Sequence, residues 1–341
     1  MAIPLLFGAA AILASGYGLK KGVKATQKNS EAKNINNKAK ALIDNYTEIL
    51  EQARKTANNE LNDLGELKID IYNSTLKNFV NVFKRIKNVE VTTSTEIEKL
   101  KNFDITLKKL ETGINLAQNM ASGILAGGAA GAVAAFGAYG GVMSFGAAST
   151  GTSISMLSGI AARNATLAWL GGGSLASGGL GIAGGTLVLG STVAGPLLAV
   201  FGAVMDSKAT ANLENAKTNY RIAESHVKEM EIVLDSCKNI TKRSKLFWNL
   251  LYQLDDLLEP GVDKLTDIVL DEGKDFRNYK AESKEVVLMV AALSKAIGTV
   301  INTPILEEDG SLTLKFLDVY NETEEKYSQI QSKFQEVGLL N

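Results

Sequence analysis

The feature that most constrains this chain is a glycine-rich apolar stretch from Thr112 to Met205, in which Arg163 is the only charged side chain. It contains 22 of the chain's 32 glycines, and Ala, Ser, Thr, Leu, Ile and Val make up most of the rest. A stretch this long without charge has to be covered by lipid or by protein. Charged sequence stands on both sides, so we expect the flanks to hold, present or shield this stretch.

The N-terminal flank predicts a long amphipathic helix over residues 25–87. Its apolar residues step by three and four, as in a coiled-coil arm. They are Ile35, Ala39, Leu42, Tyr46, Ile49 and Ala53, continued by Leu61, Leu64, Leu67 and Ile71. We expect the charged residues to form a solvated face and Gly65 to bend the helix, since glycine weakens helix. The β-branched residues of 88–102 interrupt the arm.

The C-terminal flank carries the strongest periodic signal, a heptad seam that begins just after Asp206. Its members are Leu213, Ala216, Tyr220, Ala223, Val227, Met230, Leu234 and Cys237, resumed by Trp248 and Leu251. Glu259-Pro260-Gly261 predicts the end of this helix, a second helix from about residue 262 and a last one over about 311–337. Because a hairpin returns the chain to its starting side, we expect 25–87 and 206–258 to pair as antiparallel helices.

Turn signals divide the apolar stretch into two helices long enough to span a bilayer, over about 120–147 and 182–205. Small residues let such helices approach closely. The candidate packing positions are Gly123, Gly127, Gly131, Gly137, Gly141, Gly181 and Gly185. Arg163 falls in the connection between the two helices. If the helices span a bilayer, we expect Arg163 at the far membrane interface or in a pore mouth. If the stretch is buried in protein, we expect a carboxylate or backbone carbonyls as its partners. Trp169 fits either the bilayer interface or a core, whereas Trp248 fits the seam.

The chain begins with an apolar run over residues 1–18, followed by Lys20, Lys21 and Lys24. Three interpretations stay open: a membrane anchor, a buried helix and an atypical signal peptide. The lysines favour the cytoplasmic side of a membrane. The sequence therefore predicts four segments, which are 1–24, an arm over 25–118, the apolar segment over 119–205 and a C-terminal arm with terminal helices over 206–341.

Composition argues against several classes of function. The 36 basic and 37 acidic residues balance, so there is no overall basic footprint for nucleic acid. With only Cys237 and His226, one chain cannot assemble a His/Cys zinc site. The GxGxxG match at residues 179–184 lacks the strand and the βαβ unit of a dinucleotide site. We expect no cofactor, no small-molecule substrate and no enzymatic activity, since no nucleophile or acid–base constellation occurs.

The run over residues 165–200, ATLAWLGGGSLASGGLGIAGGTLVLGSTVAGPLLAV, resembles a segment of uncharacterised bacterial proteins with a glycine-zipper-like apolar hairpin between charged helices. The layout is also similar to that of the ClyA/haemolysin BL group of α-helical pore-forming toxins, whose long helices hold an apolar head. The apolar block is longer here, and the N-terminal apolar run is a further departure. The resemblance implies no catalytic residues.

Together these patterns predict an all-α protein in which long amphipathic helices flank a glycine-rich apolar hairpin. The expected function is insertion into a lipid bilayer with homo-oligomerisation, giving a pore or a membrane-anchored scaffold. The alternative is a soluble structural or interaction protein whose apolar segment is buried in a homo-oligomer. The expected location is the bacterial cell membrane with the arms in the cytoplasm, with a soluble cytoplasmic protein and a secreted toxin as alternatives.

Overall fold

The computed structural model describes residues 20–89, 103–125, 130–139, 213–306 and 312–339, and it confirms the all-α class. Within these ranges the only β-pairing is two isolated bridges, Lys87 with Asp275 and Leu306 with Leu312. The chain divides into two compact units. Unit 1 comprises Met1–Glu48 and Leu197–Glu231, and unit 2 comprises Ile49–Pro196 and Ile232–Asn341.

Two long helices each contribute to both units. Helix α1 runs over Lys20–Asn73, and helix α5 runs over Leu213–Asp271. Unit 2 also contains α2 (Thr75–Phe83), α3 (Phe103–Leu125), α4 (Ala130–Tyr139), α6 (Ala281–Asn302) and α7 (Lys315–Glu336). A short 3-10 helix, Phe276–Asn278, lies between α5 and α6.

In unit 1, α1 and α5 pack along two heptad seams. The buried residues of α1 are Ala32, Asn36, Ala39 and Ile43, and those of α5 are Ala216, Asn219, Ala223, Val227 and Met230. The small alanines bring the helices together, and the two buried asparagines meet, with Asn219 Nδ2 donating to Asn36 Oδ1 at 3.1 Å. A buried Asn pair satisfies its own polar groups only in one register, so it fixes the alignment of the helices.

The paired helices run parallel, so the antiparallel prediction is wrong. In unit 1, Asn36 pairs with Asn219, and the Tyr46 hydroxyl, ten residues further on, donates to Glu231 at 3.0 Å. In unit 2, Lys245 forms an ion pair with Glu60 at 3.2 Å. Residue numbers rise together along both helices within unit 1, as they do only in a parallel pair. The antiparallel expectation followed from a simple hairpin between the arms.

The seam of α1 agrees with the predicted one at Ala39, Leu61, Leu64 and Ile71, which are buried, and differs from it by one position at three other places. Asn36, Ile43 and Leu50 are buried, while Ile35 and Leu42 are half-buried and Ile49 is 42% exposed. Further along, Arg54 and Lys68 occupy the seam, so the expectation that all charges of this arm face solvent is also wrong. Gly65 does not end the helix, which continues to Asn73.

Helix α5 continues through Pro260, where the sequence predicted a break. A proline inside a helix leaves the carbonyl of the residue four positions earlier without its partner. That residue, Asp256, is exposed, so water can satisfy the carbonyl. On the other side, Leu257, Leu258 and Val262 are buried and keep the helix against the core.

The core of unit 2 centres on α6. Its fully buried apolar residues are Val287, Val290, Ala291, Leu293, Ile297, Val300 and Ile301. Among the described residues α6 is the one helix long and apolar enough to cross a membrane, although 67% of its apolar window is buried inside the protein. A core helix of a water-soluble domain has the same properties, so α6 by itself decides nothing about lipid.

Aromatic contacts hold the remaining helices of unit 2 together. Phe103 of α3 lies 5.0 Å from Phe83 and 6.2 Å from Phe79 of α2, measured between ring centroids. Phe316 of α7 lies 4.5 Å from Phe247 of α5. These offset and edge contacts add to the burial of apolar area.

Candidate functional site: the packing of helix α4 in unit 2

Helix α4 has no polar face. Its sequence is AGAVAAFGAY, and Val133, Ala134, Phe136 and Ala138 are at most 3% exposed. A helix that is apolar on every side is stable only inside protein or inside lipid. Within unit 2, α4 is the described part of the glycine-rich segment that comes after α3, and those of its residues whose burial is described are covered by protein.

Two glycines bring α4 into backbone contact with α1. A Cβ atom added to Gly65 would lie 2.1 Å from the Val133 carbonyl oxygen, and one added to Gly137 would lie 1.9 Å from the Leu61 carbonyl oxygen. Real Cβ atoms do not come this close to an oxygen, so no larger residue fits at either position without separating the helices. The sequence predicted that Gly137 packs between apolar helices, whereas its nearest neighbours in the structure are Leu61 and Gly65 of the arm helix α1.

The C-terminal end of α4 is capped by groups distant in sequence. The Gly137 carbonyl accepts a hydrogen bond from Lys68 Nζ at 2.9 Å. The Ala138 carbonyl accepts from the Ile305 N–H at 2.7 Å and from the Leu306 N–H at 3.4 Å. The last carbonyls of a helix have no partner within the helix, and they attract positive charge. Lys68 and the chain after α6 therefore satisfy an end of α4 that water does not reach.

Lys68 is fully buried, and no ion pair between described residues includes it. Burial lowers its pKa from 10.5 to about 7, because the charged ammonium loses its hydration. One carbonyl is a weak substitute for water around a full charge. Burial of Lys68 beside α4 therefore favours the neutral amine over the charged ammonium.

A buried polar pair adjoins this contact. Asn302 Nδ2 donates to the Tyr72 hydroxyl at 3.3 Å and to the Gly298 carbonyl at 2.6 Å. Burial raises the pKa of Tyr72 to about 12, so the phenol stays protonated. The Tyr72 ring lies 6.4 Å from the ring of Phe136 of α4, and Gly113 of α3 leaves room for it. These residues connect α1, α3, α4 and α6 without a group that can act as a nucleophile at neutral pH.

The arrangement is suited to holding a helix. Among the described residues no group of three or more His, Cys, Asp or Glu side chains could hold a metal ion. Lys68 and two backbone N–H groups bind carbonyls of α4, and Val133, Ala134, Phe136 and Ala138 lie in the core.

Comparison with protein-family models, with curated proteins and with solved structures finds no match to this chain. The resemblance to pore-forming toxins and to glycine-zipper proteins therefore stays a prediction.

The predicted site residues divide into three groups. Outside the described residues lie Gly127, Gly141, Gly181, Gly185, Arg163 and Trp169. Gly123 lies in α3, and Gly131 and Gly137 lie in α4. The predicted seam residues all lie in α5: Val227 is buried, whereas Leu213, Tyr220, Leu234 and Trp248 are half-buried.

Trp248 illustrates how the seam of α5 shifts within unit 2. The fully buried residue at this turn is Phe247, while Trp248 stacks on the exposed Tyr252 with ring centroids 5.3 Å apart. Sequence reasoning also missed Gly65 and Lys68, which make the closest contacts to α4. The sequence signal that could have identified them is their spacing, because both stand where the seam of α1 would otherwise have an apolar residue.

Proposed function

We propose that this is a membrane-inserting α-helical protein that self-associates through its glycine-rich segment, forming a pore or a membrane-anchored scaffold in a bacterial cell membrane. The observation that carries the proposal is α4, a helix without a polar face that packs backbone to backbone through glycines. Contacts between small residues are the ones that helices use in lipid, where no hydrophobic effect drives them together. The same helix is compatible with storage in protein and with insertion.

In this proposal unit 2 is the stored form. Helix α4 is short, ten residues, and its end is held by Lys68 and two backbone N–H groups. When α4 leaves, Lys68 regains water and its charge, which offsets part of the lost packing. A bilayer then receives the apolar surface that unit 2 covered. The arms α1 and α5 stay in water, because their outer faces are charged.

The test is a disulfide that locks α4 in place. The Ile305 N–H lies 2.7 Å from the Ala138 carbonyl oxygen, so the two backbones are adjacent. We would introduce Ala138→Cys with Ile305→Cys in a Cys237→Ser background and follow binding to vesicles by flotation after a carbonate wash. We expect insertion by the reduced double variant and none by the oxidised one. Each single cysteine variant is a control that oxidation should not affect.

Two outcomes contradict the proposal at different points. If the oxidised double variant inserts as well as the reduced one, α4 does not need to leave unit 2 and the storage step is wrong. If carbonate removes the unmodified protein from vesicles and from native membranes entirely, membrane insertion itself is wrong.

A second candidate function is a soluble structural or interaction protein. The observation that favours it is the burial already present in one chain: the described side chains of α4 are covered, and α6 is two-thirds buried. Under this candidate the protein forms a homo-oligomer of one size in detergent-free buffer and stays in the soluble fraction. Under the first candidate it needs detergent or lipid once its apolar segment is released.

A further inference from the structure

Unit 1 has a basic end and an acidic end. Residues 20–40, the first part of α1, contain seven lysines and one glutamate. The parallel pairing places residues 213–223 of α5 beside this lysine-rich part, and residues 224–231 beside 41–48. These last two ranges together contain five carboxylates, one lysine and one histidine. The sign of the charge therefore changes along the length of unit 1.

The basic side chains whose burial is described are exposed at this end. They are Lys28, Lys33, Lys38 and Lys40 of α1 and Lys217 and Arg221 of α5. Two carboxylates accompany them, Glu31 and Glu214, and Glu214 lies 3.3 Å from Lys217. No ion pair between described residues includes the four lysines of α1. The basic end therefore presents an excess of positive charge to its surroundings.

Both apolar stretches of the sequence join unit 1 at its basic end. The apolar run over residues 1–18 precedes α1, which begins at Lys20. The glycine-rich stretch ends at Met205 and precedes α5, which begins at Leu213. Because the two helices are parallel, both begin toward the same end, where each helix N-terminus adds about half a positive charge. Positive charge next to apolar sequence is the arrangement that attracts anionic lipid headgroups.

We propose that the basic end of unit 1 binds the surface of a bilayer that contains anionic phospholipids. The attraction acts between the exposed ammonium and guanidinium groups and the headgroup phosphates, within a Debye length of about 8–10 Å. The acidic end is repelled by the same surface, so unit 1 is oriented with its basic end toward the bilayer. Nucleic acid would also attract a basic end, but only a bilayer matches the apolar sequence that joins it there.

This attachment does not require α4 to leave unit 2, so it stands independently of membrane insertion. The assay is flotation of the full chain with vesicles, without a carbonate wash, at a low and a high concentration of sodium chloride present from mixing. One set of vesicles is phosphatidylcholine alone, and the other also contains the anionic lipid phosphatidylglycerol. We expect stronger binding to the anionic vesicles, and loss of this additional binding in about 1 M salt, where the Debye length falls to about 3 Å. Insertion is measured separately, as the fraction that resists carbonate.

The decisive variant is Lys33→Gln with Lys40→Gln, because glutamine removes the charge and keeps the helix propensity. Each lysine near an anionic surface strengthens binding about fivefold, so this variant should bind anionic vesicles about 25-fold more weakly. Lys33→Arg with Lys40→Arg keeps the charge and should bind like the unmodified protein. Lys77→Gln with Lys242→Gln removes the same charge from exposed positions in unit 2 and should not weaken binding. The urea midpoints of all these proteins should agree, since the four lysines are exposed.

Equal binding to the two kinds of vesicle would show that anionic headgroups are not recognised and would overturn the proposal. An unchanged affinity of the Lys33→Gln, Lys40→Gln variant, or an equal loss in the unit 2 control, also overturns it. So does binding to double-stranded DNA without a preference for anionic vesicles, which would assign the basic end to nucleic acid. Should the decisive variant fail to fold, Lys28→Gln with Lys38→Gln replaces it under the same criteria.

Discussion

Lys68→Met should stabilise the protein at neutral pH and destabilise it at high pH. Methionine has a similar length and no charge, so it keeps the packing of α1 against α4. The lysine has to give up its proton when the chain folds, because its pKa falls from 10.5 to about 7. At pH 7, where about half of the folded molecules still carry the proton, this costs roughly 4 kcal/mol, taking about 1.4 kcal/mol for each tenfold change in an equilibrium constant.

The opposing term is the hydrogen bond to the Gly137 carbonyl, 2.9 Å long and fully buried. Methionine leaves this carbonyl without its partner, which costs about 1–3 kcal/mol. The variant should therefore be more stable than the unmodified protein by roughly 1–3 kcal/mol at pH 7.

The sign of the pH dependence follows from proton binding. Between the folded pKa of about 7 and the unfolded value of 10.5, the unfolded chain binds a proton at Lys68 that the folded chain does not. Stability attributable to Lys68 therefore rises with pH across this window. The advantage of the methionine variant should shrink above pH 7 and change sign between about pH 8 and pH 10.

The assay is urea unfolding followed by circular dichroism at several pH values from 6 to 10.5, at constant ionic strength. Subtracting the two proteins cancels all groups except residue 68. Lys77 is exposed on α2, so Lys77→Met is the control and should show no such crossover. A difference that does not change with pH, or a variant less stable throughout, would refute the reasoning that Lys68 is buried in a neutral form.

Two further predictions concern the helix contacts. Gly137→Ala places a methyl group against the Leu61 carbonyl and should lower the urea midpoint by the equivalent of about 1–3 kcal/mol. The control is Gly298→Ala, whose methyl group meets only a movable leucine methyl and should leave stability unchanged or raise it. Equal effects of the two substitutions would contradict the backbone contact. Asn36→Val should lower the free energy of unfolding by about 1–3 kcal/mol, because it leaves the buried Asn219 unpaired. The double variant with Asn219→Val should recover that stability. Thermal unfolding of the single and double variants measures both effects.

The seam of α5 could be predicted from the sequence because its buried positions are mostly apolar and evenly spaced. Ala216, Ala223, Val227 and Met230 are buried as the heptad pattern predicted. Periodicity finds such residues whenever hydrophobic burial decides the face of the helix. It fails at Trp248, where the larger of two adjacent aromatic residues is the less buried one.

The seam of α1 could be found only in part, because polar residues occupy three of its positions. Ala39, Leu61, Leu64 and Ile71 are buried as the apolar spacing predicted. Asn36, Arg54 and Lys68 are buried, and a search for apolar spacing moves to their neighbours instead. The relative direction of α1 and α5 could not be predicted from the sequence either. Parallel and antiparallel seams have the same period, and only contacts such as Asn36 with Asn219 distinguish them.

The candidate site was only half predictable. The small-residue spacing identified Gly137 as a contact position, since close approach requires a residue without a side chain. Gly65 was predicted only to bend the arm helix, because a single glycine within a helical pattern does not indicate that another helix packs against it. At Pro260 local propensity predicted a break, but the buried residues around it keep the helix continuous.

The parallel pairing in unit 1 has a consequence for how the protein is made. The two asparagines that align α1 and α5 are 183 residues apart in the chain. At a synthesis rate of about 5–20 residues per second, roughly 10–40 s pass between their emergence from the ribosome. The seam of α1 in unit 1 therefore has no α5 partner while the whole apolar segment is translated. Any contact that the chain makes during this interval precedes the completion of unit 1, because the order of synthesis follows from the 183-residue separation.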